Sequence, residues 1–217
     1  VPYVSNDTRR SKCPTMIGIY GGSFDPVHLG HLQTATSIKN ELDIDRLFML
    51  PCFEPVHKNS LNYTSNQRLQ MLNLAIKEFT SLEIDTREIL RGGSSFMIDT
   101  LLDLKKSFKN ESICLIIGMD SFINFKTWKN WNEFSKLIHL IVLPRNGDQP
   151  ISKTLETFDT AKDTHQLKAK PNGHLYFSNS QMIDISSSDI RGKIAANQNL
   201  DNFLPTSIIS FIKKYDT

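Results

Sequence analysis

The apolar run Met16 to Tyr20 stops at two consecutive glycines, Gly21 and Gly22, and a helical stripe opens at Leu29. That order constrains the chain most, because a short buried strand broken by glycine and followed by a helix is the opening of a βαβ unit. Leu29, Leu32, Ala35, Ile38 and Leu42 fall on one helical face, and Arg46 to Leu50 then reads as a second strand. Strands joined through a helix pair in parallel, and parallel sheets are covered on both faces. The expected fold is therefore α/β: a single Rossmann-like domain with a doubly wound, mostly parallel sheet and helices on both faces.

The alternation persists along the chain. Gln67 to Phe79 reads as a helix behind an N-cap at Ser65, on a stripe of Leu69, Leu72, Ala75, Ile76 and Phe79. Leu82 to Asp85 reads as a strand, Phe96 to Phe108 as a helix, and Ser112 to Ile117 as an apolar strand closed by Gly118. A helix over Trp131 to Leu137, strands at His139 to Leu143 and Leu175 to Phe177, and helices over Ser187 to Ala196 and Thr206 to Tyr215 complete the pattern. Residues 1–15 read as a disordered extension, 16–217 as the domain, and the polar stretch 144–173 as an inserted loop or lid.

Composition narrows the function classes. With 39% hydrophobic and 22% charged residues among 217, the chain is neither collagen-like, wholly disordered nor membrane-embedded. A net charge of +2 without a basic stripe argues against nucleic acid and membrane surfaces as partners, so any anion site must be local. Cys13, Cys52 and Cys114 lack the spacing of a zinc site or a disulfide framework, which favours a reducing, cytoplasmic or nucleocytoplasmic location. Oligomeric state is left open, a homodimer included.

Two segments carry chemistry. The first, GSFDPVHLGH from Gly22 to His31, joins the first strand to the first helix, where ligands bind in open α/β sheets. Gly21 and Gly22 let backbone amides approach an anion, the helix directs its positive end there, and His28 and His31 share a helical face. Either histidine alone reads more readily as a surface imidazole than as a ligand. The loop carries neither the G-x-G-x-x-G of dinucleotide sites nor the lysine-containing P-loop pattern. In the second segment, ISSSDIR from Ile185 to Arg191, the hydroxyls of Ser187 and Ser188 open a helix where they can cap amides or bind phosphate, and Arg191 offers a planar fork to phosphate oxygens. Alone, that segment reads as a capped surface helix.

Together the two segments resemble the signatures of the nucleotidyltransferase superfamily, which includes nicotinate and nicotinamide mononucleotide adenylyltransferases, phosphopantetheine adenylyltransferase and cytidylyltransferases. The first matches G-[ST]-F-D-P-x-H-x-G-H at every fixed position; the second resembles I-S-S-T-x-[IV]-R, with Ser188 keeping the hydroxyl of the threonine it replaces. PCFEPVHK (Pro51 to Lys58), then Gln67, Arg68 and Met71, and IIGMDSFINFKTW (Ile116 to Trp128) are similar to the bacterial-type nicotinate mononucleotide adenylyltransferases. GGSSFMIDT departs from that branch's G-x-S-Y-T-x-D-T by placing Met97 where threonine is usual.

The resemblance implies adenylyl transfer from ATP to nicotinate mononucleotide, or to nicotinamide mononucleotide, with release of pyrophosphate in NAD biosynthesis. It assigns catalysis to His28, His31, Arg191 and Lys58. ATP binding falls to Gly21, Gly22, Ser23, Phe24, His28, His31, Gly118, Asp120, Ser187, Ser188 and Arg191, and the mononucleotide to Ser23, Phe24, Lys58, Met97 and Trp128. Trp128 would stack the pyridine ring, with Trp131 as its rival. Asp120 would accept from a ribose hydroxyl, unless it only caps a helix. Lys58 and Arg68, judged alone, read as solvated surface cations. Magnesium would arrive with ATP, with no all-protein metal site. The rivals are another nucleotidyltransferase, such as phosphopantetheine adenylyltransferase, and an inactive nucleotide sensor; the Pro51 to Lys58 loop and Trp128 argue against the first, and His28, His31 and Arg191 against the second.

Overall fold

The computed structural model describes residues 15–55, 61–144, 155–180 and 182–215. The elements run β1 (Met16–Gly22), α1 (Leu29–Glu41), β2 (Arg46–Pro51), α2 (Ser65–Ala75), β3 (Leu82–Ile84), α3 (Arg87–Arg91), α4 (Met97–Ser107), β4 (Ser112–Gly118) and α5 (Met119–Ile123). Two 3-10 turns (Phe125–Thr127 and Trp131–Lys136) lead to β5 (His139–Leu143), β6 (Asp159–Thr160), α6 (Thr164–Ala169), β7 (His174–Phe177), α7 (Ser187–Ala195) and α8 (Thr206–Tyr215).

The seven strands form one sheet in the order β3-β2-β1-β4-β5-β7-β6, and every pairing is parallel. Side chains alternate across it with the period of two that a pleated strand imposes. Tyr20, Met49 and Ile116 point to the face covered by α1, α2 and α8, whereas Ile19, Leu50 and Leu115 point to the face covered by α4 and Phe122, Phe125 and Phe134. The chain leaves β1 toward β2 in one direction and returns to β4 in the other. The carboxyl ends of β1 and β4 therefore form the crevice at which strand order reverses, the place open α/β sheets reserve for ligands.

Several sequence expectations are corrected here. The N-cap of α2 is Thr64, not Ser65, because Thr64 and Gln67 form a reciprocal capping box. The buried face of α2 is Arg68, Met71, Leu72 and Ala75, rotated from the stripe that apolarity alone picks out. Trp131 to Leu137 is not an α-helix but a 3-10 turn, in which Phe134 is the buried side chain. Helices α3 and α5 went unread, since five residues cannot complete an apolar stripe. The polar stretch 144–173 is not simply a loop: Leu155, Phe158 and Leu167 are buried, and they dock α6 and the strand β6 that extends the sheet beyond β7. Residues 145–154 of that stretch, and all of the expected N-terminal extension but Thr15, lie outside the described residues.

Candidate active site

A cavity of about 650 Å³ opens at the crevice. Its walls carry Gly21, Gly22, Ser23, His28 and His31 from the end of β1 and the start of α1, Gly118 and Asp120 from the end of β4, Met97 and Trp128 from the opposite side, and Ser187 and Ser188 from α7. These residues were singled out from sequence, and the fold brings them together. Phe24 and Arg191 are not on the wall but directly behind it. Lys58 lies outside the described residues.

The backbone strain of the first segment is not at its glycines. Gly21 and Gly22 are the last residues of β1, in register with Leu50 and Pro51. The left-handed residue is Phe24, at φ 48°, a conformation that costs a bulky side chain of order 1–3 kcal/mol unless its surroundings hold it. They do so by burial: Phe24 is 1% exposed, and its ring makes T-shaped contacts with Tyr20 and His31.

His28 is the N-cap of α1, where its Nδ1 accepts the His31 amide at 3.2 Å. That bond leaves the ring proton on Nε2, as a donor. Burial pushes the His28 pKa down to about 4, so the ring is neutral near pH 7. His31 stacks on it with 3.6 Å between ring centroids. The positive end of α1 is expected to face the site, but the Leu29 amide donates to the Phe203 carbonyl and the His31 amide to His28. The imidazoles, rather than a full ring of helix amides, are what α1 offers. Gly30 follows His28, and a Cβ there would meet both His28 Nδ1 at 3.0 Å and Ile185 Cβ at 3.1 Å, so any other residue would make the imidazole or the second segment give way by a few tenths of an ångström.

The two segments bind each other directly. Ser187 Oγ donates to the Pro26 carbonyl at 3.1 Å, and Arg191 Nη1 donates to the Asp25 carbonyl at 2.7 Å, with the Asp25 carboxylate 3.6 Å away. Arg191 Nη2 donates to Ser188 Oγ at 3.1 Å. The expected capping by Ser187 or Ser188 is corrected: Ser186 caps α7 by accepting the Asp189 amide, which leaves the next two serines to the cavity. Asp25, matched in sequence as part of a signature and given no role there, is nearly fully buried and also accepts the Asn62 and Tyr63 amides.

Upstream of α7 the chain is strapped along α1. The Glu41 carboxylate accepts Tyr176 Oη, Ser178 Oγ and the amides of Asn179 and Ser180, and Thr34 Oγ1 accepts the Ile183 amide at 3.3 Å. Burial alone would raise the Glu41 pKa, but the donors from Ser178, Ser180 and Asn179 hold it below the ordinary carboxylate value. Nothing in the sequence pairs Glu41 with residues so distant along the chain.

On the opposite wall Trp128 faces the cavity, its rear packed against Phe125 and Phe134 at 5.3 and 6.1 Å, whereas Trp131 sits off the wall beneath Lys126. Met97 reaches over Gly21, with its Cε 3.3 Å from where a Cβ would stand. Asp120 lies in the first turn of α5, which Gly118 caps, so the helix-capping reading of Asp120 is corrected. Glu88, unremarked in the sequence, is buried in this wall, where it accepts Thr100 Oγ1 at 2.6 Å. Its burial raises its pKa, against hydrogen bonds from Thr100 and Ser95. Arg68 is corrected from a surface cation to a fully buried one, donating to the carbonyls of Ser23 at 2.7 Å and Phe53 at 2.9 Å.

The cytidylyltransferase-like family model matches residues 19–193, which span both segments and the cavity between them. A protein of Vesicomyosocius okutanii subsp. Calyptogena okutanii named "probable nicotinate-nucleotide adenylyltransferase" is 44% identical over 93% of this chain and 96% of its own length. A protein of the same name from Methylococcus capsulatus is 35% identical over 92% of this chain and 97% of its own. The chain belongs to the nicotinate-nucleotide adenylyltransferase family. The fold agrees with that family: the nicotinic acid mononucleotide adenylyltransferase of Plasmodium falciparum, solved complexed with NaAD, superposes with a TM-score of 0.71 at 19% identity, over 93% of this chain and 96% of that one. Among the described residues, no helix is long and apolar enough to cross a membrane.

Proposed function

We propose that this chain joins nicotinate mononucleotide to the adenylyl group of ATP: a phosphate oxygen of the mononucleotide attacks the α-phosphorus, the bond to the β-phosphate breaks, and pyrophosphate leaves. The nucleophile is already ionised near neutral pH, so the obstacles are repulsion between anions and in-line placement rather than proton removal. Two unit charges 4 Å apart repel by about 4 kcal/mol at an effective dielectric near 20. Neutral donors and cations fixed in advance offset that repulsion without reorganising during the reaction.

The observation that carries this reading is the direct hydrogen bonding between the two segments, Ser187 to Pro26 and Arg191 to Asp25, which closes a polar cradle around the end of β1. In that cradle the Nε2 proton of His28 and the ring of His31 donate to the phosphates about the breaking bond. Ser187 and Ser188 hold the outer phosphates from the start of α7. Arg191, tethered behind them, supplies positive charge. Gly118 and Asp120 receive the adenylyl ribose, Trp128 stacks the pyridine on the side of the cavity it shares with Met97, and Lys58 adds charge near the attacking phosphate. Among the described residues no group of three or more His, Cys, Asp and Glu side chains converges as a metal cage. We assign a divalent cation, magnesium in our reading, to the triphosphate itself, where it would neutralise phosphate charge. We assign the reaction to the cytoplasm on the reducing location that the spacing of Cys13, Cys52 and Cys114 favours.

The test is pyrophosphate release from ATP with nicotinate mononucleotide, nicotinamide mononucleotide and phosphopantetheine offered in turn. The highest kcat/KM is expected with nicotinate mononucleotide. Turnover with phosphopantetheine alone, or with none of the three, would refute the reading.

A further inference from the structure

Arg68 is out of place by ordinary rules. A guanidinium stays charged at all physiological pH, and a fully buried one normally has a carboxylate partner. Arg68 is 0% exposed, yet among the described residues its partners are two backbone carbonyls rather than a carboxylate. Those carbonyls belong to opposite halves of the site. Ser23 follows β1 in the phosphate loop, and Phe53 follows β2 in the loop that leads to the mononucleotide side.

The strap continues beyond Phe53. The Phe53 amide donates to Ser95 Oγ at 3.0 Å, the Ser95 amide donates to the Glu54 carbonyl at 3.2 Å, and Ser94 bridges Glu54 in parallel. Ser95 and its neighbours Phe96 and Met97 line the same side of the cavity as Trp128. One planar fork thus joins the loop that holds one reactant to the wall that holds the other.

We propose that Arg68 is a positioning residue: its two Nη groups set the spacing between the triphosphate cradle and the mononucleotide wall, and so the in-line distance between the attacking oxygen and the α-phosphorus. Arg68 does not touch substrate; it acts through Ser23 and Phe53. Each substrate still finds its own subsite when the fork is lost, but the two no longer meet in line. Turnover, not binding, carries the effect. This rests on the adenylyl-transfer reading above.

The experiment compares Arg68→Lys and Arg68→Met with the unsubstituted protein for pyrophosphate release, with kcat and both KM values measured and folding checked by circular dichroism and thermal melting. Lysine keeps the buried charge but, as a single ammonium on a flexible stem, does not reproduce the planar fork. Methionine removes both. The expected result is a kcat lowered about 10- to 100-fold in both folded variants, the loss a displacement of about 1 Å can cause, with each KM within about threefold of the original. A folded Arg68→Lys protein with full kcat would overturn the proposal and make charge, not the fork, the contribution. Loss of the fold in both variants, or KM increases without loss of kcat, would also overturn it. If the unsubstituted protein itself releases no pyrophosphate, the reaction assignment fails first, which separates that failure from one specific to Arg68.

Discussion

The loop between β1 and α1 and the segment leading into α7 meet the same cavity, yet opposite means hold them. In the first, Phe24, Asp25, Val27 and His28 are all nearly or fully buried, and packing holds them together with short-range amide bonds to His28 and buried ones to Asp25. In the second, Ser186 and Ser187 are half-buried, Ser188 and Asp189 are exposed, and Ile190 is buried; hydrogen bonds to Glu41, Thr34, Pro26 and Asp25 hold this segment in place. Burial keeps the histidine at the site neutral and rigid, a donor whose proton is already directed. Tethering leaves the arginine charged and partly in water. A site that must gather anions while keeping some donors free of competing charge uses both.

The comparison breaks most severely at its buried half. His31→Ala is expected to lower turnover about 10²- to 10³-fold, the loss typical of a transition-state donor, while circular dichroism shows the fold intact. Full activity in that variant would remove the imidazoles from the mechanism.

Acid attacks the buried imidazoles next, His28 in this half and His139 at the start of β5. His28 and His139 are both buried, with pKa values lowered to about 4 from 6.5, so the unfolded chain takes up protons that the folded one refuses. The sign follows: their contribution is fully present above pH 6.5 and is lost as pH falls through the window toward 4. Each shift corresponds to about 3 kcal/mol, which urea midpoints at pH 7.5, 5.5 and 4.5 would read. His139→Gln should show a shallower slope, because it lacks one of the two titrating rings; an unchanged slope would contradict the assignment.

The tethered half is probed through Glu41. Glu41→Ala takes a carboxylate acceptor from two hydroxyls and two amides, leaving the Tyr176 hydroxyl and the Asn179 amide to find another, which is expected to cost about 1–3 kcal/mol of stability and to raise KM for ATP about tenfold, with KM for the mononucleotide unchanged. Equal changes in both constants would mean that the strap serves the whole site and not the α7 side. The smallest effect should separate the tryptophans: Trp128→Ala raises KM for the mononucleotide about tenfold, as the loss of one stacking face does, while Trp131→Ala changes it less than about twofold.

Legibility in the sequence followed the same division. The strand, glycine and helix order that opens the domain could be read because apolar periodicity reports which face is covered, and the β4 strand ending at Gly118 was legible for the same reason. The two signature segments stood out as patterns of residue types. Arg68 was misjudged because a lone arginine in a helix is normally at the surface, and an apolar stripe cannot include it although it belongs to the buried face of α2. Glu41 and Glu88 were invisible, since their partners are far apart in the chain or have no pattern of their own. Ser186 displaced Ser187 as the cap because three serines in a row make each equally eligible until the backbone decides among them.

What this chain's amino acids determined unaided is local: which stretches bury one face, where glycine ends a strand, and which hydroxyls and imidazoles stand at helix starts. Those properties depend on interactions within a few residues and survive translation into a pattern. Only the tertiary structure decided that Arg191 reaches the carbonyl of Asp25, that His28 loses its charge and that Arg68 joins two loops. Burial and long-range hydrogen bonds depend on what the rest of the chain places nearby, and no local pattern contains that information.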